Sequence, residues 1–352
     1  MTQFRRQSLT AYAAPLCETV VECPQPQGTE VLVRIHRCGV CHSDLHMQDG
    51  YFLLGGDKRL DVRAGRTLPF TLGHEIAGVV ERAGEAAAGI TPGAAVAVYP
   101  WIGCGNCPAC RRGDENICAA PRHLGIAVDG GFASHVLVPH PRYLIDHAPL
   151  PASFAATLMC SGLTAYAALK RLAAQAALGP LLLVGMGGVG MMGLSLARVL
   201  FEHAPLIADI DADKRAAALA AGASAAFDPR DAGARKALLS ATAGGVYGAC
   251  DFVGSEASLG FATGALAKGG KALVTGLFGG TFAMPVAMFA LKAIGVEGIQ
   301  TGTLAEAHEL VALARERKLA PPPIAERPLA EAQAALEALR AGHVVGRIVL
   351  TG

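Results

Sequence analysis

A glycine-rich turn between an apolar strand and a helix constrains the fold of this chain more than any other feature. Gly185-Met-Gly-Gly-Val-Gly190 follows the strand-like run Leu181-Leu-Leu-Val and precedes a Met/Leu-rich stretch. In this context the glycines let the turn close tightly and let the backbone approach a pyrophosphate, whose charge is favoured at a helix N-terminus. A glycine turn before an apolar helix also occurs as plain packing, so a second signal is needed.

That second signal is an acidic residue at the end of the next strand. Asp209 follows Gly190 by 19 residues and ends the run Pro205-Leu-Ile-Ala. An acid at this place holds the adenosine ribose hydroxyls of a dinucleotide and repels a 2′-phosphate. Asp211 is the alternative acid, and Asp209 is favoured because it lies at the strand end. The pattern therefore predicts NAD rather than NADP.

The chain divides into two regions of different composition and pattern, as its length of 352 residues leads us to expect. The first 150 residues are rich in Gly, Pro and β-branched runs such as Glu30–Ile35, which predicts an irregular β-barrel. From about Ser161, short apolar runs alternate with Ala-rich helical segments, which predicts a doubly wound parallel sheet. The tail after about Gly298 adds the predicted helix Leu304–Arg317 and a last strand at Gly346–Leu350, and periodicity does not assign it to either domain.

Composition excludes several classes of protein. The net charge of +1 and scattered Lys and Arg residues give no reason to expect nucleic acid or an anionic membrane as partner. Leu172–Ala197 has no charged residue and is long enough to span a bilayer, but its Gln, Pro and six glycines argue against a span. We see no apolar signal segment before Pro15. The sequence predicts a cytoplasmic protein.

Four cysteines at close spacing form the most specific metal signal. Their separations are three, three and eight residues. Four thiolates in a short loop can close tetrahedrally around Zn²⁺ with no open position, which is typical of a structural site. Two disulfides in a secreted domain, or a DNA-binding zinc ribbon, are the competing interpretations, disfavoured by the missing signal segment and by few local basic residues. The cysteines are Cys104, Cys107, Cys110 and Cys118.

With these features, GHE at 73–75 and CHSDLH at 41–46 complete a resemblance to the zinc-dependent medium-chain alcohol dehydrogenases, closest to the tetrameric prokaryotic type. The resemblance extends over nearly the whole chain. It implies a GroES-like catalytic domain formed by 1–155 and 299–352, and a Rossmann NAD-binding domain formed by 156–298. It implies two Zn²⁺ per chain, NAD, and a homotetramer, with a dimer as the alternative.

The resemblance also assigns the catalytic zinc to Cys41, His74 and Cys160, with the fourth position open to an alcohol oxygen. The implied reaction is hydride transfer from a zinc-bound alkoxide, interconverting primary or secondary alcohols with aldehydes or ketones. Glu75 resembles the family's glutamate beside the metal. The family's proton exit runs from Ser43 through the coenzyme ribose to His46, with Asp44 orienting a ligand histidine. Without the resemblance, Cys160 reads as a small buried hydrophobe and His46 as a solvated histidine.

The remaining implied positions line the coenzyme and the substrate. For most of these positions a competing interpretation exists: an apolar side chain packs in the core, or a charged side chain is exposed to solvent. The coenzyme positions are His42, Gly185, Gly187, Gly188, Val189, Gly190, Asp209, Lys214, Val253, Leu277, Phe278 and Arg347, and the substrate positions are Trp101 and His123.

Two departures from the family pattern stand out. His123 occupies a place where close relatives carry a bulky aromatic, so it changes the pocket chemistry or faces solvent. An insert, Gly50–Arg66, lengthens the segment between Cys41 and His74 to 32 residues. We expect it to shield the active-site mouth or to contact a neighbouring subunit.

Two alternatives to the leading function remain open, and a third, the zinc-free reductase, is disfavoured by the presence of all seven metal ligands. A polyol dehydrogenase, or another specialised zinc dehydrogenase of the superfamily, shares most of the ligands. A zinc-free reductase of the superfamily lacks them. A catalytically inactive protein that binds zinc and nucleotide would keep them.

Overall fold

The computed structural model describes residues 3–317, 319–342 and 344–352. Within these ranges two main sheets form, one in the N-terminal part with the C-terminal tail and one in the middle of the chain. Ten strands precede residue 147: β1 (Gln3–Leu9), β2 (Cys17–Glu22), β3 (Val31–Gly39), β4 (Tyr51–Gly55), β5 (Lys58–Asp61), β6 (Phe70–Thr71), β7 (Glu75–Ala83), β8 (Ala95–Val98), β9 (His135–Val138) and β10 (Leu144–Asp146).

The middle of the chain forms a six-stranded parallel sheet. Its strands are β11 (Leu182–Val184), β12 (Leu206–Ala208), β13 (Ala225–Phe227), β14 (Val246–Asp251), β15 (Leu266–Val274) and β16 (Gly295–Gly298). The spatial order is β13-β12-β11-β14-β15-β16, so the direction of winding reverses between β11 and β14. A ligand crevice opens at such a reversal, outside the carboxyl ends of the strands. The predicted doubly wound sheet is confirmed.

Two further strands, β17 (Ile324–Pro328) and β18 (Arg347–Thr351), return to the first sheet. β18 pairs antiparallel with β3, and β17 pairs parallel with β18. The resulting sheet has the order β10-β8-β7-β3-β18-β17, with β9 also on β3. The apolar runs Val31–Val33 in β3, Ile76–Gly78 in β7 and Val96–Val98 in β8 are buried, which matches their largely β-branched sequences. β16 and β17 carry weak strand patterns and were not predicted.

Helices connect the strands of the parallel sheet and cover the barrel. Their bounds are α1 (His42–Asp49), α2 (Pro108–Arg111), α3 (Ala152–Thr157), α4 (Leu163–Arg171), α5 (Ala173–Ala176), α6 (Gly188–Leu200), α7 (Ala212–Ala220), α8 (Ala234–Ala241), α9 (Glu256–Gly264), α10 (Ala287–Lys292), α11 (Leu304–Glu316) and α12 (Ala332–Arg340). A π-helical turn, Leu158–Gly162, joins α3 to α4.

The insert folds as a two-stranded hairpin, β4–β5, separate from both main sheets. Its tip meets the loop that follows β15, since a Cβ added at Gly279 would lie 2.5 Å from the carbonyl oxygen of Leu53. At Gly55 an added Cβ would lie 2.4 Å from Oγ1 of Thr281. The insert therefore contacts the parallel-sheet part of its own chain. Whether it also shields the site or meets another subunit stays a prediction.

The apolar segment Leu172–Ala197 contains a short helix, β11 and most of α6, so it is not one continuous helix. A different stretch, Ala152–Arg171, is long and apolar enough to cross a membrane. Its most apolar window is 83% buried inside the fold, as in the core helix of a folded protein.

Candidate functional site

Three side chains from distant parts of the sequence meet at the inner end of the barrel. Cys41 caps the N-terminus of α1, His74 directly precedes β7, and Cys160 lies in the π-helical turn between α3 and α4. Their ligand atoms all lie within 4.8 Å of one another, and all three residues are buried. The two sulfur atoms are 4.0 Å apart.

The donor set of this cluster fits a zinc ion. Sulfur atoms on a tetrahedral Zn²⁺ at ~2.3 Å lie roughly 3.8 Å from each other, close to the observed separation. Nε2 of His74 is buried and has no hydrogen-bond partner among the described residues. A buried imidazole nitrogen with no partner is costly unless a ligand occupies it. Cys160 also lowers the pKa of the Cys41 thiol by donating to its sulfur, which favours the thiolate that a metal needs.

Asp44 braces this cluster from the first turn of α1. It is fully buried, and its Oδ2 accepts from the backbone N–H of Cys41 at 2.9 Å. Its Oδ1 accepts from the N–H of Gly73 at 3.1 Å and lies 3.3 Å from Nδ1 of His74, at an angle short of a regular hydrogen bond. Burial alone would lower the pKa of His74, but the Asp44 carboxylate and Cys41 raise it. One carboxylate thus contacts both the backbone of Cys41 and the ring of His74.

Glu75 lies directly beside the cluster and is fully buried. Its Oε1 accepts from the N–H of Ser161, the neighbour of Cys160, at 3.1 Å. Its Oε2 lies 2.5 Å from Nη2 of Arg347, which is itself only 4% exposed. Burial raises the pKa of Glu75, and the guanidinium of Arg347 opposes this. Arg347 is therefore a buried partner of Glu75, and the interpretation of a solvated strand-end arginine is wrong.

Helix α1 carries Ser43 and His46 one turn apart, so both side chains lie on the same face of the helix. Both are half-buried, whereas His42, at the start of the helix, is exposed. The ring of His46 packs on Phe52 of the hairpin, with centroids 4.5 Å apart. Burial lowers the pKa of His46, and His42 lowers it further.

The glycine-rich turn has the geometry that its sequence predicts. Gly185 adopts φ +89° at the end of β11, and a Cβ on Gly190 would lie 1.9 Å from the carbonyl oxygen of Gly185. Gly187 caps α6, so the following N–H groups are free to face an anion at the helix N-terminus. A Cβ on Gly188 would lie 2.4 Å from Cδ of Arg347. Arg347 thus contacts both this turn and Glu75.

The two candidate acids have different surroundings. Asp209 is 9% exposed, and its Oδ2 accepts from the N–H of Met186 in the glycine turn at 2.6 Å. Its Oδ1 accepts from the N–H of Asp211 at 2.8 Å. Asp211 instead caps α7, accepting from the N–H groups of Asp213 and Lys214. The capping role leaves Asp209 as the acid nearest the turn.

The remaining residues predicted to contact the coenzyme differ in their surroundings. A methyl group of Val253 lies 2.4 Å from the position of a Cβ on Gly185, so Val253 closes directly over the turn. Leu277 and Phe278 are 52% and 67% exposed, so core packing does not explain their apolarity. Lys214 donates from Nζ to the carbonyl of Gly342 at 3.0 Å, and Val189 is half-buried against the core.

The four-cysteine lobe brings its sulfur atoms within 4.8 Å of one another. Cys107 caps the short helix α2, and the N–H of Cys110 lowers the pKa of the Cys107 thiol to about 6. Glu115, inside the lobe, is 4% exposed and accepts from the N–H of Gly103 and from Tyr143 at 2.9 and 2.8 Å. Arg142 donates to the same carboxylate at 2.7 Å. This network fastens the lobe to the barrel.

Trp101 and His123 lie next to the three-residue cluster. The indole ring of Trp101 is 5% exposed, lies 5.4 Å from the ring of His74 and donates to the carbonyl of Met159 at 3.0 Å. His123 meets the same indole edge-on at 5.3 Å and is 3% exposed. The expectation that His123 faces solvent is therefore wrong, because Trp101 and the barrel enclose it.

The structure brings the three predicted ligands of the catalytic zinc together with Asp44 and Glu75 in one buried cluster. Three supporting residues were not anticipated: Glu115, Phe52 and Ser161. The partners of Glu115 and Ser161 lie at least 12 residues away in sequence. An acid or a phenylalanine among ordinary neighbours gives no signal of its own. Only the position of Glu115 inside the cysteine motif could have drawn attention to it.

Two family models match this chain. The alcohol dehydrogenase GroES-like domain matches residues 27–149, and the zinc-binding dehydrogenase domain matches residues 188–316. The chain is 36% identical over 351 residues to an NAD-dependent alcohol dehydrogenase of Sulfurisphaera tokodaii, with 98% of this chain and 99% of the relative covered. An NAD-dependent alcohol dehydrogenase of Saccharolobus solfataricus is 37% identical, with 97% and 98% covered.

Solved structures are similar over the whole length. The alcohol dehydrogenase of Aeropyrum pernix superposes with a TM-score of 0.87 at 32% identity, covering 99% of this chain and 100% of the other. The D-arabinose dehydrogenase of Sulfolobus solfataricus superposes with a TM-score of 0.85 at 27% identity, covering all of both chains. Both domains of the fold therefore have close structural counterparts.

Proposed function

Because this chain belongs to the zinc-dependent medium-chain alcohol dehydrogenases and is an NAD-dependent member of that family, we propose that Cys41, His74 and Cys160 hold its catalytic zinc. The assignment rests on one buried cluster, in which two thiols meet an imidazole nitrogen that has no hydrogen-bond partner among the residues the structure describes. Three protein ligands leave one position open, as a catalytic rather than a structural zinc requires.

When bound, zinc supplies a Lewis acid that polarises the alcohol oxygen, and NAD supplies the hydride acceptor. The chain's own residues orient these groups. Asp44 holds Cys41 and His74 in place from one carboxylate. Glu75 accepts a hydrogen bond from Ser161, next to Cys160, and forms an ion pair with Arg347, which packs against the glycine turn. The metal cluster and the glycine turn are therefore connected through Glu75 and Arg347.

The proton of the alcohol needs a path out of this buried site. Oγ of Ser43 is the accepting group, and His46, one turn later on the same face of α1, delivers the proton to solvent. His46 suits this role because it is half-buried and its lowered pKa keeps it neutral, hence able to take a proton, at neutral pH.

His46→Gln is expected to lower kcat/KM for alcohol oxidation about ten- to a hundredfold at pH 7, because a general base typically contributes at least this much. The deficit should shrink at higher pH, where hydroxide takes up the proton directly. Two measurements check this: a pH profile of kcat/KM and the zinc content, which should equal that of the wild type. Loss of zinc would mean that His46 is a metal ligand and not a relay.

The glycine turn would hold the coenzyme, with Asp209 binding its adenosine ribose. Gly185, Gly187, Gly188 and Gly190 would leave room for the pyrophosphate, with the guanidinium of Arg347 and the imidazole of His42 as its polar neighbours and Val189 behind the turn. Val253, Leu277 and Phe278 would flank the nicotinamide, since exposure of the last two leaves apolar surface for a ring to cover. Lys214 lies at the adenosine end, tied to Gly342.

Asp209→Asn is expected to raise the ratio of kcat/KM for NADP to that for NAD by about tenfold or more, because the buried carboxylate charge repels a 2′-phosphate. The amide oxygen can still accept from Met186, so the turn should persist. Asp211→Asn is the matched control, since asparagine caps helices as well as aspartate does. Equal shifts in both variants would remove Asp209 from the ribose site.

Cys104, Cys107, Cys110 and Cys118 hold a second, structural zinc, so each chain carries two. Residues 1–155 with 299–352 constitute the catalytic domain, and 156–298 the coenzyme domain, apart from residues 1 and 2, 318 and 343, which lie outside the described part of the chain. The return of β17 and β18 to the barrel supports this division.

We also propose a homo-oligomer, tetrameric with a dimer as the alternative, and the edge of the parallel sheet supports self-association. β16 is the last strand of that sheet, and its Val296 is 36% exposed. Val286, just before α10, is 82% exposed, and Leu291, within α10, is 68% exposed. Apolar side chains beside a sheet edge favour association with a second copy. Sedimentation of the purified protein tests the assembly state.

We place the enzyme in the cytoplasm.

The experiment that tests the proposed function combines metal analysis with a substrate screen. The wild-type protein should contain two zinc ions per chain and reduce NAD with primary or secondary alcohols. It should reduce the matching aldehydes or ketones with NADH. One zinc per chain with no turnover would favour an inactive zinc- and nucleotide-binding protein, and turnover that survives removal of all zinc would favour the zinc-free reductases.

A further inference from the structure

Two arginines lie at the edge of the parallel sheet, next to Asp209. Arg215, in α7, donates from Nη1 to the carbonyl oxygen of Asp209 at 2.8 Å. Arg230, in the loop after β13, donates from Nη2 to the carbonyl oxygen of Ile210 at 2.5 Å. Two guanidinium groups are therefore bonded to the backbone of the proposed ribose-binding acid and of the residue that follows it.

Both guanidinium groups share one carboxylate, that of Asp228. This residue directly follows β13, which pairs parallel with β12, so Asp228 and Asp209 lie at the same edge of the sheet. Oδ2 of Asp228 accepts from Nη1 of Arg215 at 3.1 Å and from Nη2 of Arg230 at 2.7 Å. Oδ1 accepts from Nε of Arg230 at 3.0 Å. The pair with Arg230 is thus bidentate, a geometry that fixes the direction of the guanidinium.

The charges of this cluster do not cancel. The guanidinium of Arg230 lowers the pKa of the Asp228 carboxyl, so this carboxyl is ionised near neutral pH. Both arginines are charged as well, and two positive charges therefore share one negative charge. The side chain of Arg230 is 65% exposed, against 22% for Arg215. Arg230 can therefore turn toward a ligand with little loss of packing once Asp228 no longer holds it.

A 2′-phosphate on the adenosine ribose is the group that such an arginine would bind. This phosphate is the one difference between NADP and NAD, and it carries roughly two negative charges near pH 7. Dinucleotide sites accommodate it with an arginine close to the ribose. An arginine is present here beside Asp209, but its charge is already paired with a neighbouring carboxylate.

We propose that Asp228 is a second determinant of coenzyme choice, which holds Arg230 and Arg215 on the backbone beside Asp209 and so withholds their charge from a 2′-phosphate. The inference rests on the proposed function, because it takes the adenosine ribose to bind at Asp209. The two acids act differently. The carboxylate of Asp209 repels the phosphate directly, whereas Asp228 is a positioning residue that acts through the arginines.

The test compares the binding of two coenzyme fragments that lack the nicotinamide, ADP-ribose and 2′-phospho-ADP-ribose. Asp228→Asn removes the charge and keeps an oxygen for the backbone N–H of Arg230, which donates to Oδ1 at 3.0 Å. In this variant the affinity for the phosphorylated fragment relative to ADP-ribose should rise about fivefold over the wild type, because the phosphate meets one negative charge fewer and a released arginine. Added salt should shrink the rise, since exposed charges are screened.

The ratio of kcat/KM for NADP to that for NAD should rise by a similar factor in the same variant. Both ratios are taken within one preparation, so neither depends on how much of the variant is folded. If Asp228 only fastened α7 to the loop after β13, its substitution would lower the unfolding temperature and leave both ratios unchanged.

Two further variants separate the arginines from the general effect of charge. Asp231→Asn is the matched control, because it removes the same charge from an exposed carboxylate nearby that accepts from the N–H of Gly233. It should leave the ratio of affinities nearly unchanged. The double variant Asp228→Asn with Arg230→Gln should lose most of the gain, since the released cation is gone.

Three results would overturn the proposal: no change in the ratio of affinities in Asp228→Asn, an equal rise in Asp231→Asn, or a rise that survives Arg230→Gln. The proposed function fails separately. Fragment binding involves neither zinc nor alcohol, so a wrong catalytic assignment leaves it in place. If Asp209→Asn shifts the ratio and Asp228→Asn does not, the ribose site stands and the role of Asp228 alone is refuted.

Discussion

Cys160→Ala is expected to reduce kcat/KM for alcohol oxidation by more than about a thousandfold, because zinc contributes several kcal/mol of transition-state stabilisation. Removing one of the three proposed ligands also leaves Cys41 and His74 unable to hold the ion tightly. Zinc content should therefore fall from two ions per chain to one. Metal analysis of the purified variant, together with steady-state kinetics, measures both effects.

Cys250→Ala provides the matched control for this prediction. Cys250 is an equally buried cysteine in β14, and it takes no part in either cysteine cluster. Its removal should leave both zinc ions and the activity in place. If Cys160→Ala instead keeps two zinc ions and nearly full activity, Cys160 is only a small buried side chain, and the metal site has been assigned to the wrong residues.

Cys107→Ser is the second change with a large expected effect, on stability and not on chemistry. The variant should lose one zinc ion and unfold at a temperature lower by roughly 10 °C, corresponding to a loss of at least about 4 kcal/mol. The reason is that four thiolates close this loop around a metal, and a serine hydroxyl replaces a thiolate poorly. Thermal unfolding and metal analysis check the result.

The kinetics of the same variant distinguish a structural from a catalytic role. Measured below its unfolding temperature, Cys107→Ser should keep kcat within a few-fold of the wild type, because the cluster at Cys160 is untouched. Cys17→Ser, at an exposed thiol in β2, should change neither zinc content nor stability. An undiminished unfolding temperature with both zinc ions retained would show that the lobe binds no metal.

Local signals in the sequence were sufficient to predict the parts of this fold that depend on particular residues at fixed separations. The glycine turn at 185–190, the acid at 209 and the cysteine spacing at 104–118 each require particular residues at fixed separations. For this reason the parallel sheet and the zinc and NAD chemistry could be predicted. The central strand β11 is buried on both sides, and its unbroken apolar run made it easy to identify.

Features that depend on distant contacts could not be predicted. Leu277 and Phe278 are apolar but 52% and 67% exposed, which their polarity alone does not predict. His123 has a surface-like sequence and is buried, because Trp101 folds over it. The pairing of Glu75 with Arg347 joins residues near opposite ends of the chain. The pattern of polar and apolar residues along the sequence does not predict these long-range contacts.

The π-helical turn at Leu158–Gly162 has a consequence for how this activity can be lost. A π-turn contains one residue more than a regular helical turn, and here the extra residue belongs to the segment that carries Cys160. Deleting the codon of one residue other than Cys160 in this segment would let α3 and α4 join as one regular helix, while turning Cys160 by about 100° relative to one of its flanks. The helix would survive and the third thiol would point elsewhere. A single in-frame deletion therefore separates an enzyme that has its third catalytic-zinc ligand in place from an intact fold that lacks it.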